Sequence, residues 1–275
     1  MDKVLRRRLT RNKSLVVGSF LLLSLCFVAF TGHLLLPPGG NRSDLSHRLD
    51  APSKESPLGT DQLGRDVLTR AVLGAKTSLA SGAVVILLSG LLGGIVGVVS
   101  GYFGRATDSI LMRCVDFLLA FPTFLLAMAV VAILGPGLRN AIIALVISYI
   151  GPFARLVRGV TIKVKANEYV EAAHSIGASD LHIVARHVLP NILTPVTVQL
   201  ALCFGAAIVD LAGLSFLGLG AQPPSPEWGA MLSAGRPYIA TAWWMTTFPG
   251  LCIMVSVLAF IFVGDGLRDV MDPRR

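Results

Sequence analysis

Six apolar runs of 15 to 23 residues, set apart by polar or turn-forming stretches, constrain this chain more than any other feature. They cover residues 15–36, 79–99, 117–134, 140–154, 192–214 and 245–263. A bilayer core about 30 Å thick is crossed by about 20 apolar residues in a helix, and no water is available there to bond a free amide. The expected fold class is therefore an all-α membrane protein with six transmembrane helices. Composition agrees, with 15% charged residues and a mean hydropathy of +0.70, against about 25% charged in soluble domains. Pro122 and Pro152 fall inside the third and fourth runs and are expected to be tolerated there, because neighbouring helices satisfy the freed backbone groups. Gly90, Gly93, Gly94, Gly97 and Gly101 form overlapping G-x-x-x-G pairs in or just after the second run, which let helix backbones approach closely.

Charge orients these spans. With both termini cytoplasmic, residues 1–13, 101–113, 154–190 and 265–275 carry 16 of the 24 lysines and arginines, as the positive-inside rule requires. The basic run Lys3, Arg6, Arg7, Arg8, Arg11 and Lys13 reads as a cytoplasmic anchor beside lipid, not as a nucleic-acid site. The first apolar run is too long for a signal-peptide core and is not followed by a small-x-small cleavage site, so it is expected to be retained. Cys26, Cys114, Cys203 and Cys252 form no C-x-x-C pair and read as packing residues.

The polar segment from Arg155 to Pro195 stands out among these runs. Val164, Tyr169, Val170, Ala173 and Ile176 lie mostly three or four apart, with Lys163, Lys165, Glu168, Glu171 and His174 between them, which predicts an amphipathic helix over 163–176. Gly177 ends it in a positive-φ turn. Ser179 or Asp180 caps a second helix over 181–189, with Leu181, Val184, Ala185 and Val188 as its apolar stripe and Pro190 as its stop. The expected product is a helix–turn–helix outside the bilayer with one face free for another protein.

Glu171-Ala172-Ala173, then Gly177, then Leu189-Pro190, in the last large loop before the final two spans, resembles the "EAA" loop of ABC importer permeases. In that family the loop holds a coupling helix that docks into a separate ATPase. Two further blocks resemble the dipeptide, oligopeptide and nickel branch: Leu58-Gly59-Thr60-Asp61 with Gly64-Arg65-Asp66, and the L-S-F-L-G-L-G-A-Q-P-P-S-P-E-W-G stretch over 214–229. The tail from Gly264 is also family-like. The resemblance spans 57–273 and implies a type I ABC importer permease fold with alternating access. It further implies a second homologous permease as heterodimer partner, two ABC ATPases and an extracytoplasmic substrate-binding protein. The cargo it implies is di- or oligopeptide, with chelated nickel as the alternative, and the location an inner membrane.

Carried onto this chain, the coupling positions are Glu171, Ala172, Ala173, Gly177, Ala178, Asp180, Leu181, Arg186, Leu189 and Pro190. Asp210 and Gln199, polar side chains within the fifth span, are the pathway candidates. Relatives carry Glu where this chain has Leu211, and Asp210 sits one place earlier, about 100° round a helix. The implied layout is a basic N-terminus (1–13), a first span (14–36), and an extracytoplasmic loop with a surface helix over 66–75 (37–78). A core permease domain (79–264) contains the coupling loop 155–190, and a cytoplasmic tail (265–275) follows.

An intramembrane enzyme or a channel is the competing class. Asp210 is the one clear acid within a run, and no filter motif or charge ring is present. His174, His182 and His187 fall in the polar loop, but a spacing of five does not place His182 and His187 on one face of an α-helix. No metal site is expected. Gly74-Ala75-Lys76-Thr77 lacks the Gly before Lys that a phosphate-binding loop needs, and Leu88-Ser89-Gly90 lies inside a span. The chain is therefore expected to bind no cofactor, ATP and magnesium being held by partner subunits. Purified alone it should show no vanadate-sensitive ATP hydrolysis, and turnover by a verified single-chain preparation would refute this.

Overall fold

A computed structural model describes residues 12–36 and 41–271. Lys3, Arg6, Arg7, Arg8 and Arg11 of the basic N-terminus, and the tail beyond Met271, lie outside the described residues. Apart from loops, chiefly 41–66 and 217–227, the described residues are helical: α1 (Lys13–Leu35), α2 (Val67–Phe103), α3 (Arg105–Leu119), α4 (Thr123–Leu134), α5 (Leu138–Lys165), α6 (Glu168–Ser175), α7 (Asp180–Phe216), α8 (Trp228–Gly235) and α9 (Trp244–Met271). Five of these are long and apolar enough to cross a membrane, and the pair α3 and α4 makes a sixth span if counted as one.

That pair departs from the continuous third span expected over 117–134. The helices meet at a 90° bend. Pro122 is the cause. It lacks an N–H, takes an extended conformation (φ −55°, ψ 133°) and stands as the N-cap of α4, so the helix breaks there instead of absorbing the proline. The 12 residues of α4 span only about 18 Å.

The other boundaries move outward. The surface helix expected over 66–75 and the span expected from Leu79 are one helix, α2, capped by Asp66, whose carboxylate accepts the Thr69 amide at 2.7 Å. Nothing in Lys76-Thr77-Ser78 breaks a helix, and Val67, Ala71 and Ala75 are buried rather than on a surface. The span expected over 140–154 continues to Lys165, and the last span continues past Val263 to Met271. The stretch over 214–229 is less loop than expected, since α7 runs to Phe216 and α8 starts at Trp228.

Helices α2 and α5 form the centre. A Cβ on Gly93 would lie 2.6 Å from the Ile150 carbonyl oxygen, and one on Gly97 equally close to that of Ala154. One on Gly101 would lie 2.8 Å from Thr161 Cβ, whereas Gly94 faces open space. So Gly93, Gly97 and Gly101 make the working stripe, and Gly94 of the overlapping pairs is not part of it. Close backbone approach is how helices pack where lipid is as apolar as the side chains. Ser89 adds a cross-helix hydrogen bond to the Val146 carbonyl at 3.1 Å. Around this pair, α4 and α7 close one cluster on Val85, Leu145, Phe153 and Leu211. A second cluster joins α1, α2, α8 and α9 through Trp228, Trp244 and Phe260.

Gly97→Leu should lower the melting temperature of the detergent-solubilised chain by an overpacking cost of about 1–3 kcal/mol. Gly94→Leu should stay within about 0.5 kcal/mol of the native chain. A fluorescence thermal-shift comparison checks the contrast, and equal effects would show that the stripe is not the contact.

Candidate functional site

The polar segment 155–195 folds into a hairpin at one end of the molecule. The amphipathic helix expected over 163–176 is interrupted at Ala166 and Asn167. The Asn167 side-chain amide donates to the Lys163 carbonyl at 3.1 Å and the Val164 carbonyl at 2.9 Å, closing α5. Asn167 itself is extended (φ −81°, ψ 143°) and starts α6. Asn followed by Glu168 is a helix-start signal available in the sequence.

The turn after α6 follows the expectation and gives it a mechanism. Gly177 has φ +85°. Its amide donates to the His174 carbonyl and the Ala178 amide to the Ala173 carbonyl, both at 3.0 Å. These are the paired bonds of a Schellman ending, which needs a positive φ at the residue after the last cap. The spacing of Ala173 and Gly177 is the spacing of that motif. Ser179, rather than Asp180, caps α7 by accepting the His182 amide at 3.4 Å, which leaves the Asp180 carboxylate for a different contact.

Pro190 does not end this helix. From Asp180 the chain is helical without interruption to Phe216, because residues Val184–Val188 widen into a π turn just before the proline. Such i→i+5 bonding re-spaces the carbonyls that a missing N–H would leave without partners. The wider turn also brings the His182 and His187 rings to 6.4 Å between centroids, which α-helical counting did not foresee. Among the described residues no group of three His, Cys, Asp or Glu side chains is placed to hold a metal.

The buried side of the hairpin is Val164, Val170, Ala173, Ile183, Val188 and Ile192, packed against Val98, Tyr102 and Val157. The stripe expected on the second helix is thus shifted, with Ile183 buried and Leu181 and Ala185 outside. Glu171, Ala172, Asp180, Arg186, Leu189 and Pro190 are also exposed. Ile176 and Leu181, flanking the Gly177 turn, are 87% and 79% exposed. Tyr102, at the end of α2, reaches this hairpin through its hydroxyl. It donates to Asp180 Oδ1 at 2.7 Å and lies 3.3 Å from His174 Nε2.

The two pathway candidates are not brought together. Gln199 lines a cavity of about 510 Å³ with Thr194, Pro195 and Arg268, and donates to Cys203 Sγ at 3.1 Å. Asp210 is about 16 Å further along α7 and accepts the Tyr149 hydroxyl at 2.8 Å.

At the opposite end the two other sequence blocks, 58–66 and 214–229, form one cap. Asp61 Oδ1 accepts the Leu63 and Arg65 amides at 2.8 and 3.0 Å, and Oδ2 accepts Arg65 Nε at 2.7 Å. Arg70 lies 3.5 Å from the same carboxylate and donates to the Pro224 and Ser225 carbonyls. Trp228 donates to the Ala71 carbonyl at 2.8 Å and Trp244 to that of Thr60 at 3.0 Å. Glu227 caps α8 through the Gly229 and Ala230 amides. Both blocks are legible in the sequence, but their pairing is a property of the tertiary structure.

Residues 93–275 match the family of binding-protein-dependent transport system inner membrane components. The chain belongs to that family. It is 44% identical over 268 residues to the dipeptide transport system permease protein of Alkalihalophilus pseudofirmus, covering 98% of this chain and 88% of that one. The glutathione transport system permease protein of Pectobacterium atrosepticum is 44% identical over 270 residues, covering 98% and 89%. An inward-facing structure of the MetNI methionine ABC transporter superposes with a TM-score of 0.60 at 21% identity, over 75% of this chain and 97% of that one. An amino acid ABC transporter gives 0.55 at 13% identity, over 72% and 92%; both likenesses concern the fold. The chain is therefore a non-catalytic permease subunit of an ABC importer in a bacterial inner membrane, with the type I fold. Such a subunit works with ATPase subunits and a substrate-binding protein.

The Tyr149–Asp210 pair should show a coupling energy of about 0.6–2 kcal/mol in a double-mutant cycle of Tyr149→Phe and Asp210→Leu, read by thermal unfolding in detergent. Additive effects would mean that the two side chains do not support each other.

Proposed function

We propose that this permease imports di- or oligopeptides as one half of a translocation path, the other half being a second, homologous permease. The named relatives handle a dipeptide and glutathione, itself a peptide, which favours peptide cargo over chelated nickel. The hairpin over 168–183 is the element that docks into an ATPase subunit. The observation that carries this reading is the pair Ile176 and Leu181, large apolar side chains left almost fully exposed on either side of the Gly177 turn. Glu171, Ala172, Ala173, Gly177, Ala178 and Asp180 belong to the same element, Ala173, Gly177 and Ala178 by holding its turn and the others by lying on its outer surface, and Arg186, Leu189 and Pro190 extend that exposed surface just beyond it. The hairpin and both termini are on the cytoplasmic side, which the lysine and arginine bias supports. Two ATPases hold ATP and magnesium. Their closure draws the paired hairpins together and turns the spans from inward-open to outward-open, where the binding protein delivers substrate. Gln199, facing a cavity, is the better pathway candidate, and Asp210 is held by Tyr149.

Gly177 supplies the test. A Cβ there meets no atom within 4 Å, so a side chain costs only the left-handed backbone conformation, about 1–2 kcal/mol. Gly177→Val should leave membrane insertion intact, weaken ATPase co-purification about 5- to 30-fold and abolish peptide uptake. Gly177→Asn, whose side chain tolerates positive φ, should retain both. Full uptake and normal ATPase binding by the valine variant would reduce the hairpin to a connector.

A further inference from the structure

The hairpin is joined covalently to α5 and α7, yet its polar contacts converge on α2, more than sixty residues earlier in the chain. Tyr102 is buried and lies one residue before the end of α2. Its hydroxyl donates to Asp180 at the start of α7 and approaches His174 on α6, so one oxygen holds both arms of the hairpin. From the other side Lys165, the last residue of α5, donates to the Tyr102 carbonyl at 2.5 Å and lies 5.1 Å above the ring centre. Three elements of the hairpin region thus meet on a single side chain.

The opposite end of α2 is equally committed. Arg70 and the Ala71 carbonyl hold the second cap block, and Ser78 Oγ accepts the Trp228 amide at 3.2 Å. Between the two ends, the glycine stripe fixes α2 against α5. A displacement of the hairpin therefore has two routes into the spans: along the backbone into α5 and α7, and through the Tyr102 hydroxyl into α2. Hydrogen bonds of this kind are short-ranged and directional. A shift of the hairpin either carries α2 with it or breaks the contact.

We propose that Tyr102 is a positioning residue for coupling: its hydroxyl fixes the hairpin against α2, so that movement of the docked ATPases is transmitted to α2 and the cap. This rests on the docking reading given above. Asp180 and His174 are both partly open to water, so removing the hydroxyl leaves them solvated and the fold intact.

The test uses the assembled transporter, both permeases with their ATPases, in lipid nanodiscs. Tyr102→Phe should keep ATPase co-purification and the melting temperature. Amide exchange over 168–183 should quicken about tenfold, and stimulation of vanadate-sensitive hydrolysis by the binding protein, carrying the ligand with which it purifies, should fall about fivefold or more. Tyr102→Phe combined with Asp180→Leu should lose no more stimulation than the worse single variant. Native exchange and native stimulation in Tyr102→Phe would overturn the proposal, as would additive losses in the double variant. Loss of ATPase binding in Tyr102→Phe would also overturn it, by making the residue part of docking rather than of transmission. The docking reading fails separately, if Gly177→Val keeps its ATPases. The exchange measurement still decides the role of Tyr102 in that case.

Discussion

The close approach of α2 and α5 along Gly93, Gly97 and Gly101 is the contact on which the rest of the molecule depends. Lipid offers no hydrophobic drive for one apolar helix to leave it for another, so association comes from dispersion over surfaces that fit. Glycine lets backbone meet side chain at a separation that any Cβ would prevent. With α2 held in this way, α4 and α7 find a fixed surface to close against, and the bend at Pro122 determines where α4 begins.

Helix α2 also explains how two distant ends act within one body. At 37 residues it is about 55 Å long, well beyond the hydrocarbon core of about 30 Å. Its first turns anchor the cap and its last anchor the hairpin. In the cap, Asp61 and Arg65 are nearly dry, with side chains 7% exposed. Burying charges is costly unless each is paired and its remaining bonds are satisfied, and Asp61 meets that demand with two backbone amides and two arginines. The Leu58-to-Asp66 block is thus a folded unit with its own electrostatic reason.

The hairpin shows how a weak motif acquires physical content. Glu-Ala-Ala followed by three residues and Gly is common in ordinary helices. Here Ala173 and Gly177 occupy the two positions of a Schellman ending, and Ala178 packs back on the same side. Asn167 opens α6 and Ser179 opens α7, so both short arms have defined starts. The apolar residues left outside this geometry, Ile176 and Leu181, are those that the turn itself pushes outward.

The sequence by itself determined the membrane class, the number of apolar runs, the turn at Gly177 and the family, because hydropathy, positive φ and dense motifs are local properties. It misjudged where helices end. Pro122 and Pro152 are both prolines inside apolar runs, yet one breaks its helix and the other does not. Pro190 looked like a stop and lies within a continuous helix. Whether a proline kinks, breaks or is absorbed depends on which neighbours take up the freed carbonyls, and only packing decides that. The same holds for Leu181 and Ile183: both are apolar and two residues apart, but the face that is buried is set by α2 lying beneath the hairpin. The convergence of Asp180, His174 and Lys165 on Tyr102 required tertiary structure entirely, since no local pattern links side chains that lie more than sixty residues apart in the chain.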